Sequence, residues 1–337
     1  MQSYQLFIGI DISKKWIDVC VSFNGQIATM PHAQFINDAN GFQKMLNFVS
    51  SYAKKHKITG QWLFCMEHTG IYVLSLCSFL EQQGLAYVLQ SALQIIQSIG
   101  LRRSKSDAHD AAHITRYAFL HQQELRPTKL PSQNLLKIKH LLSLRNRLVK
   151  ARKSFKVAAN ELKNSTTTAS CIESTSATAC AQLTEHIKQT EQEIQQLISA
   201  SATLNQTYKL LISIKGIGLV VAAHLLVYTN GFTAFKNARQ FACYIGIAPF
   251  GYASGSSIKQ PDRVSHLANK KLKTLISSAA ISAIRFDKQI KAYYQRKIED
   301  NKNRFLVQNN VKNKIIHRVF AVVKRGTPYV ELDQFNA

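Results

Sequence analysis

The segment LFIGID, residues 6–11, places an aspartate directly after an uninterrupted apolar run. Such a run predicts a strand that is buried on both faces of a sheet. A second apolar run, Trp62–Met66, ends in the same way at Glu67. Carboxylates at the ends of buried strands are costly unless a positive charge lies between them, and in proteins that charge is usually a divalent metal ion.

Two further acids occur in the segment SDAHD, residues 106–110, which opens a predicted helix. Asp107 and Asp110 are one helical turn apart and therefore share a face. Mg²⁺ prefers carboxylate oxygens, and two such ions about 4 Å apart stabilise both the attacking and the leaving oxygen of a phosphodiester displacement. The sequence predicts a Mg²⁺ site in which Asp11 bridges two ions and Glu67, Asp107 and Asp110 complete the ligand set.

Around these acids, residues 1–130 alternate strand and helix signals. Three antiparallel strands come first, and helices then alternate with two more strands, which is the order of a ribonuclease-H-like mixed α/β sheet. The predicted strands are Leu6–Ile10, Trp16–Phe23, Ile27–Met30, Gln61–Met66 and Leu85–Leu89, and the predicted helices are Asn40–Lys55, Ile71–Gln82 and Asp107–His121.

Residues 131–205 predict an antiparallel coiled-coil hairpin with a polar tip at Asn164–Ala181. Apolar residues follow a 3,4 spacing along both predicted helices. The seam positions are Leu141, Leu144, Leu148, Ala151, Phe155, Ala158 and Leu162 on the first helix, and Leu183, Ile187, Thr190, Ile194, Leu197, Ser201 and Leu204 on the second.

Residues 206–337 predict a mostly helical domain. The segment ISIKGIG, residues 212–218, precedes an apolar helix and resembles a helix-hairpin-helix turn, in which glycines let backbone N–H groups approach a phosphate. A helix C-cap accounts for the same glycines equally well. A second loop, PFGYASGSS at residues 249–257, could hold a serine against a phosphate, although a flexible turn has the same composition.

The chain carries 43 Lys and Arg against 19 Asp and Glu, a net charge of +24, and residues 206–337 alone hold 21 basic and six acidic residues. Such an excess indicates a polyanionic partner, and nucleic acid is favoured over a membrane because neither an amphipathic anchor nor an 18-residue apolar run occurs. The first hairpin helix is especially basic, although a solvated coiled-coil face would look alike. The candidate nucleic-acid-binding residues are Arg102, Arg103, Lys105, Arg145, Arg147, Arg152, Lys153, Lys156, Lys215, Gly216, Gly218, Lys259, Arg263, Lys270, Lys271 and Lys273.

Six cysteines show no CxxC pair and no metal-ligand spacing. This usage predicts reduced thiols in a cytoplasmic protein. The first residues lack the basic region of a signal peptide, which agrees with that location.

Four motifs, in this order, resemble those of the insertion-sequence 110 family of transposases, which includes the Piv-type DNA invertases. They are FIGIDISK at residues 7–14, EHTG at 67–70, KSDAHDA at 105–111, and YIGIAP at 244–249 followed by SG at 254–255. The likeness spans nearly the whole chain, and the four motifs together are specific although each alone would be weak.

This resemblance implies a RuvC-like domain with an Asp-Glu-Asp-Asp (DEDD) site, a coiled-coil connector, and a transposase domain with a catalytic serine. The family serine maps onto Ser254, while Ser256 and Ser257 remain candidates because family members often have Ser-Ser-Gly-Gly here. The implied chemistry is attack of the serine on a DNA phosphate, assisted by carboxylate-bound Mg²⁺. The implied partners are donor and target double-stranded DNA, a structured guide RNA, and further copies of the chain in a dimer or tetramer.

Three other functions compete with this reading. A RuvC-like structure-specific nuclease would hydrolyse DNA without a covalent intermediate. A non-catalytic nucleic-acid-binding protein is disfavoured by the intact acidic quartet. A sugar-kinase-like ATPase is excluded because no glycine-rich phosphate loop follows Asp11.

Overall fold

The computed structural model describes residues 4–68, 70–99, 106–162, 170–254 and 258–330, of which residues 99, 170, 252–254 and 258–262 are described by their backbone alone. The chain divides into two compact units, Met1–Leu130 and Pro131–Ala337. A five-stranded mixed sheet lies in the first and most of the helices lie in the second, which confirms the predicted fold class. A further domain boundary at residue 205 stays a prediction.

The first unit is built on one sheet with the strand order β3-β2-β1-β4-β5. The β1–β2 and β2–β3 pairs are antiparallel, whereas β1–β4 and β4–β5 are parallel. Three antiparallel strands followed by parallel additions is the arrangement that the sequence predicts. The strands are β1 (Tyr4–Ile12), β2 (Trp16–Ser22), β3 (His32–Ile36), β4 (Gln61–Glu67) and β5 (Ala86–Gln90).

The position predicted for the third strand is wrong. Ile27–Thr29 form a 3₁₀ turn, and the strand lies later, at His32–Ile36. Ile27 and Met30 owe their apolar character to packing against a small cluster around Cys20 rather than to a strand. The true edge strand alternates polar and apolar residues, and it lacks the continuous apolar run that marks β1 and β4.

Four helices cover the sheet: α1 (Ala39–Lys55), α2 (Leu74–Gln82), α3 (Ala92–Ile99) and α4 (Asp107–Leu120). Helices α1 and α2 share a core with one face of the sheet, whereas α3 and α4 pack on the other. Helix α3 was not predicted. Helix α2 begins three residues later than predicted because Gly70, at φ +73°, and the residues after it form a turn.

The second unit holds the remaining helices and a two-stranded hairpin. One core joins residues of α5, α6, α7, α8, α9, α10, α11 and α12, including Leu142, Ile194, Leu226, Ile276 and Ile315. The elements are α5 (Gln133–Leu162), α6 (Ser170–Ser199), α7 (Ala202–Ile212), α8 (Leu219–Tyr228), α9 (Ala238–Tyr244), β6 (Pro249–Ser254), β7 (Ile258–Val264), α10 (Lys270–Phe286), α11 (Lys288–Glu299) and α12 (Arg304–Arg325).

Helices α5 and α6 pack as an antiparallel pair, but the seam predicted on α5 is partly wrong. Leu144 and Phe155 are 46% and 44% exposed, because the buried side of α5 is set by Leu135, Ile138 and Leu142, which enter the core of the unit. On α6 the predicted positions Ile187, Thr190 and Ile194 are buried. Most of the predicted polar tip, residues 170–181, belongs to α6, which begins at Ser170.

The loop predicted at residues 249–257 is in part a strand. Residues Pro249–Ser254 form β6, and Ser254 pairs with Ile258 of β7. The three residues between them in sequence, 255–257, include Ser256 and Ser257 and lie outside the described part of the chain. Within the described helices, none has the length and apolar character needed to cross a membrane.

Candidate active site

Two of the four predicted carboxylates lie at adjacent strand ends. Strands β1 and β4 pair in parallel as far as Ile10 and Met66, and Asp11 and Glu67 come next on each strand. Side chains alternate between the faces of a sheet. Because Ile10 and Met66 lie in the core beneath α1 and α2, Asp11 and Glu67 belong to the opposite face, where α4 packs.

Helix α4 is held close to β1 by a glycine. The Gly9 N–H donates to Thr115 Oγ1 at 3.0 Å, and a methyl group on Gly9 would overlap the backbone of Ala111 and Thr115. Only a residue without a Cβ allows the helix to approach this closely. The first turn of α4 therefore lies at the end of β1 that carries Asp11.

The remaining two carboxylates occupy that first turn. Ser106 is the N-cap of α4, and its hydroxyl accepts from the His109 N–H. The cap fixes where the helix begins, so Asp107 and Asp110 fall one turn apart at its N-terminus. The positive end of the helix dipole favours negative charge at this position.

The charges of three carboxylates act on Asp11. The pKa of Asp11 is raised to about 6, mainly by burial and then by the charges of Asp110, Asp107 and Glu67. The Ile12 N–H, which donates to Asp11 Oδ1 at 3.0 Å, opposes the rise without cancelling it. The fold thus concentrates negative charge around Asp11, which is what a cation site requires.

The donor set fits Mg²⁺ in its chemistry. All four groups are carboxylates, the hard oxygen ligands that Mg²⁺ prefers, and Mg²⁺ keeps several waters instead of needing a complete protein cage. Among the described residues, no group of three or more His, Cys, Asp or Glu side chains stands close enough to form such a cage.

A fifth carboxylate on the same face was missed from the sequence. Asp18 of β2 is directly opposite Asp11 in the antiparallel ladder and is only 5% exposed. It accepts from Gln34 Nε2 and lies 2.8 Å from His32 Nε2, both on the edge strand β3. A lone carboxylate inside the apolar segment WIDVCVS was the signal that could have revealed it.

One amide links the loops that follow the strand ends. Asn37 Nδ2 donates to the Ser13 carbonyl at 3.0 Å and to the Tyr72 carbonyl at 3.2 Å. Ser13 follows Asp11 by two residues and Tyr72 follows Glu67 by five, so Asn37 fixes the two loops relative to each other. No sequence motif predicts this contact.

The predicted nucleophile lies in the second unit. Ser254 is the last residue of β6, and its backbone pairs with Ile258 at the start of β7. Ser254 is therefore at the tip of the hairpin. Lys259 follows Ile258 on β7, pairs with Ala253 and is likewise described by its backbone alone. Arg263, near the root of the hairpin, is exposed.

The predicted nucleic-acid-binding residues fall into distinct environments. Arg145 and Arg152 face α6: Arg145 Nε lies 2.6 Å from Glu191 Oε1, and Arg152 Nη1 donates to Thr184 Oγ1 at 3.0 Å. The structure does not describe Arg102, Arg103 and Lys105. The exposed basic members are Arg147, Lys153, Lys156, Lys215, Arg263, Lys270 and Lys271, and Lys273 is half-buried.

The two glycines of the 212–218 turn differ in their surroundings. Gly216 has φ +93°, and a methyl group there would overlap the Ala279 carbonyl oxygen of α10. Gly218 is the exposed N-cap of α8 and has open space around it. Gly216 is therefore explained by helix packing, and only Gly218 has room for an approaching ligand.

Both units match models of known families. Residues 8–166 match a DEDD model described as "Transposase", and residues 208–295 match the model described as "Transposase IS116/IS110/IS902 family". Together the matched ranges include Asp11, Glu67, Asp107, Asp110 and Ser254.

Individual relatives agree with these matches. The chain is 25% identical over 331 residues to the "Pilin gene-inverting protein" of Moraxella bovis, which covers 96% of this chain and 97% of that protein. The protein of the same name from Moraxella lacunata gives the same values. An "Insertion element IS110 uncharacterized 43.6 kDa protein" of Streptomyces coelicolor is 30% identical over 119 residues, 35% of this chain and 29% of that protein.

Proposed function

Because the chain belongs to the insertion-sequence 110 family of transposases, we propose that it cleaves and exchanges DNA strands with Ser254 as the nucleophile and the acidic quartet as a Mg²⁺ site. The relatives of matching length are named for inverting a gene, and that name supports a site-specific recombination reaction. Transposition and programmed inversion use the same strand-exchange chemistry.

The observation that carries the proposal is the position of the four carboxylates: adjacent strand ends supply Asp11 and Glu67, and the first turn of α4 supplies Asp107 and Asp110. Burial, and then the charges of the other three, raise the pKa of Asp11 to about 6, a cost that a bound cation would reduce. Arrangements of this kind cluster at functional sites. When bound, Mg²⁺ would neutralise charge that develops on the phosphate oxygens during displacement.

The serine step is a transesterification. The Ser254 Oγ–P bond forms as the P–O3′ bond of the DNA breaks, the hydroxyl proton passes to a base, and the 3′ oxygen leaves with a proton as a hydroxyl. A 3′-hydroxyl from another strand then attacks the phosphoserine, releasing Ser254 and joining the new strand. No phosphodiester energy is lost, so exchange needs no added cofactor besides the metal.

The proposed partners follow from charge and from the reaction. Donor and target DNA are the substrates, and a structured guide RNA suits the net charge of +24. Exchange between two duplexes needs at least two nucleophiles, so the active species is a dimer or tetramer. Purification without nuclease, followed by separate RNase and DNase digestion of the bound nucleic acid, tests the RNA component.

The decisive experiment detects the covalent link. A nicked, end-labelled DNA whose short leaving strand diffuses away should trap a slow-migrating protein–DNA adduct on a denaturing gel in Mg²⁺. Ser254→Ala should form no adduct and recombine no DNA, whereas Ser256→Ala and Ser257→Ala should have milder effects. Cleavage and rejoining by Ser254→Ala would refute the serine mechanism and favour a metal-dependent nuclease.

A further inference from the structure

The turn that leads into β6 is anchored from two sides. Gly246 has φ +68°, and a methyl group there would overlap the Ala268 side chain just before α10. From α12, Asn309 Nδ2 donates to the Ile247 carbonyl at 2.9 Å. This turn, with the paired residues Pro249 and Val264 that follow, forms the root of the β6–β7 hairpin.

Two lysines lie near this root. Lys273 of α10 has its Nζ 3.9 Å from where a Cβ on Gly246 would be, and Lys312 is one turn after Asn309 on α12. Both side chains are half-buried. Burial, and then the charge of Lys273, lower the pKa of Lys312, because the two ammonium groups repel each other.

No carboxylate offsets this repulsion within the described side chains, where neither Lys273 nor Lys312 has an ion-pair partner. Two partly desolvated cations near each other are unfavourable without an anion. Helices α10 and α12, which carry these two lysines, pack against each other.

The backbone of the turn offers no further anion contacts. The N–H groups of Gly246, Ile247 and Ala248 all donate to carbonyls of α9, and Pro249 has no N–H. Attraction for an anion therefore comes from the two ammonium groups, which act as point charges without a directional fork. Such a site selects a phosphate by charge and carries no base specificity.

We propose that Lys273 and Lys312 bind a backbone phosphate of a nucleic acid strand at the root of the β6–β7 hairpin. The identity of this polyanion rests on the proposed function. Ser254 lies five residues along β6 from Pro249, about 16 Å away at roughly 3.3 Å per residue. That span corresponds to about five nucleotides along a B-form strand. The site would therefore bind the strand at a fixed distance from Ser254, the proposed nucleophile.

The test compares two variants with the same loss of charge. Lys273→Gln/Lys312→Gln removes the proposed site, and Lys291→Gln/Lys324→Gln removes two exposed lysines of α11 and α12. Binding of a short DNA duplex and, separately, a short RNA duplex is measured across salt concentrations. For the duplex that occupies the site, we expect the slope of log K against log salt to fall by about two and affinity near 0.1 M salt to fall roughly tenfold or more. The control should change little.

If the two double variants showed the same salt slope and the same affinity with both DNA and RNA, the proposed phosphate site would be refuted. A second readout is acylation of lysine amines followed by mass spectrometry, in which the bound duplex should protect Lys273 and Lys312 more than Lys291 and Lys324. Equal protection would also overturn it. Neither measurement depends on Ser254: a failed adduct experiment refutes the proposed chemistry, whereas an unchanged salt slope with normal adduct formation refutes only the phosphate site.

Discussion

The two units each hold like charges close together, but they do so by different means. In the first, backbone geometry fixes carboxylates: Asp11 and Glu67 end adjacent strands, and a cap at Ser106 sets Asp107 and Asp110. In the second, helix packing brings Lys273 to Lys312 from separate helices. The positions of the acidic residues can therefore be predicted from local sequence, whereas the proximity of the two lysines depends on how α10 and α12 pack.

This difference also predicts a different kind of ligand for each group of charges. Carboxylates at fixed positions suit a small cation of defined coordination, which tolerates little displacement. Ammonium groups on flexible stems suit a phosphate, whose position can vary as the strand moves. The acidic site should thus be sensitive to small backbone changes, and the basic pair chiefly to charge and salt.

The largest expected effect comes from neutralising the acidic cluster. Asp11→Asn should reduce strand exchange roughly a hundred- to thousandfold while DNA binding persists, because it removes one charged ligand and keeps the shape. Asp38→Asn is the matched control, since asparagine caps a helix as well as aspartate does and Asp38 is the N-cap of α1. Recombination assays in Mg²⁺ decide; equal activity of both variants would refute the metal site.

Asp11→Asn should also change how the free energy of unfolding depends on pH. The folded pKa of Asp11, about 6, exceeds the unfolded value near 4, so the folded state binds the proton more tightly. The contribution of Asp11 to stability should fall as pH rises from about 4 to 6 and stay lowered above that. Asp11→Asn should remove this contribution and gain about 1 kcal/mol at pH 7.5, after allowing for solvent screening at a partly exposed group. Urea unfolding of wild type and variant with and without Mg²⁺ measures both quantities, and a wild-type stability that does not fall relative to the variant over that pH range would contradict the raised pKa.

The next effect tests whether backbone contact governs each unit. Gly9→Ala should destabilise the first unit by about 3 kcal/mol, because the new methyl pushes α4 off β1. Gly216→Ala should act similarly in the second unit through Ala279, and Gly218→Ala, with open space, should cost about 1 kcal/mol or less. Hydrogen exchange with mass spectrometry reads the units separately. A mild Gly9→Ala would show that the helix can yield.

The smallest effect concerns the hairpin helices. Arg145 pairs with Glu191 across α5 and α6, so a double-mutant cycle of Arg145→Gln and Glu191→Gln should give about 0.5–1 kcal/mol of coupling. Arg147→Gln with Glu191→Gln should give none, while Arg147→Gln alone should reduce the salt dependence of nucleic-acid binding. Coupling at Arg147 and not at Arg145 would reverse the assignment of the two faces.

The sequence could predict what depends on local pattern. Apolar runs followed by an acid identified β1, β4 and their carboxylates, and the Ser106 segment identified α4. It could not predict features that depend on register or packing. The contact of Asp18 with Gln34 needs the alignment of β2 and β3, and the edge strand at His32–Ile36 has no continuous apolar run. Lys312 belongs to no motif, because its partner lies 39 positions away in sequence on another helix.

The pairing of the hairpin strands has a mechanical consequence. Between Phe250 and Tyr252 the register slips by one residue, which leaves an extra residue on β7 near Pro261. A bulge bends and twists a strand, and a proline cannot restore the missing ladder bond. The hairpin therefore bends close to its root, and Ser254 lies at the opposite end. With a hairpin of roughly 16 Å, a rotation of about 4° at the bend moves its tip by about 1 Å. For Ser254 as the proposed nucleophile, a displacement of this size can change the reaction rate about a hundredfold.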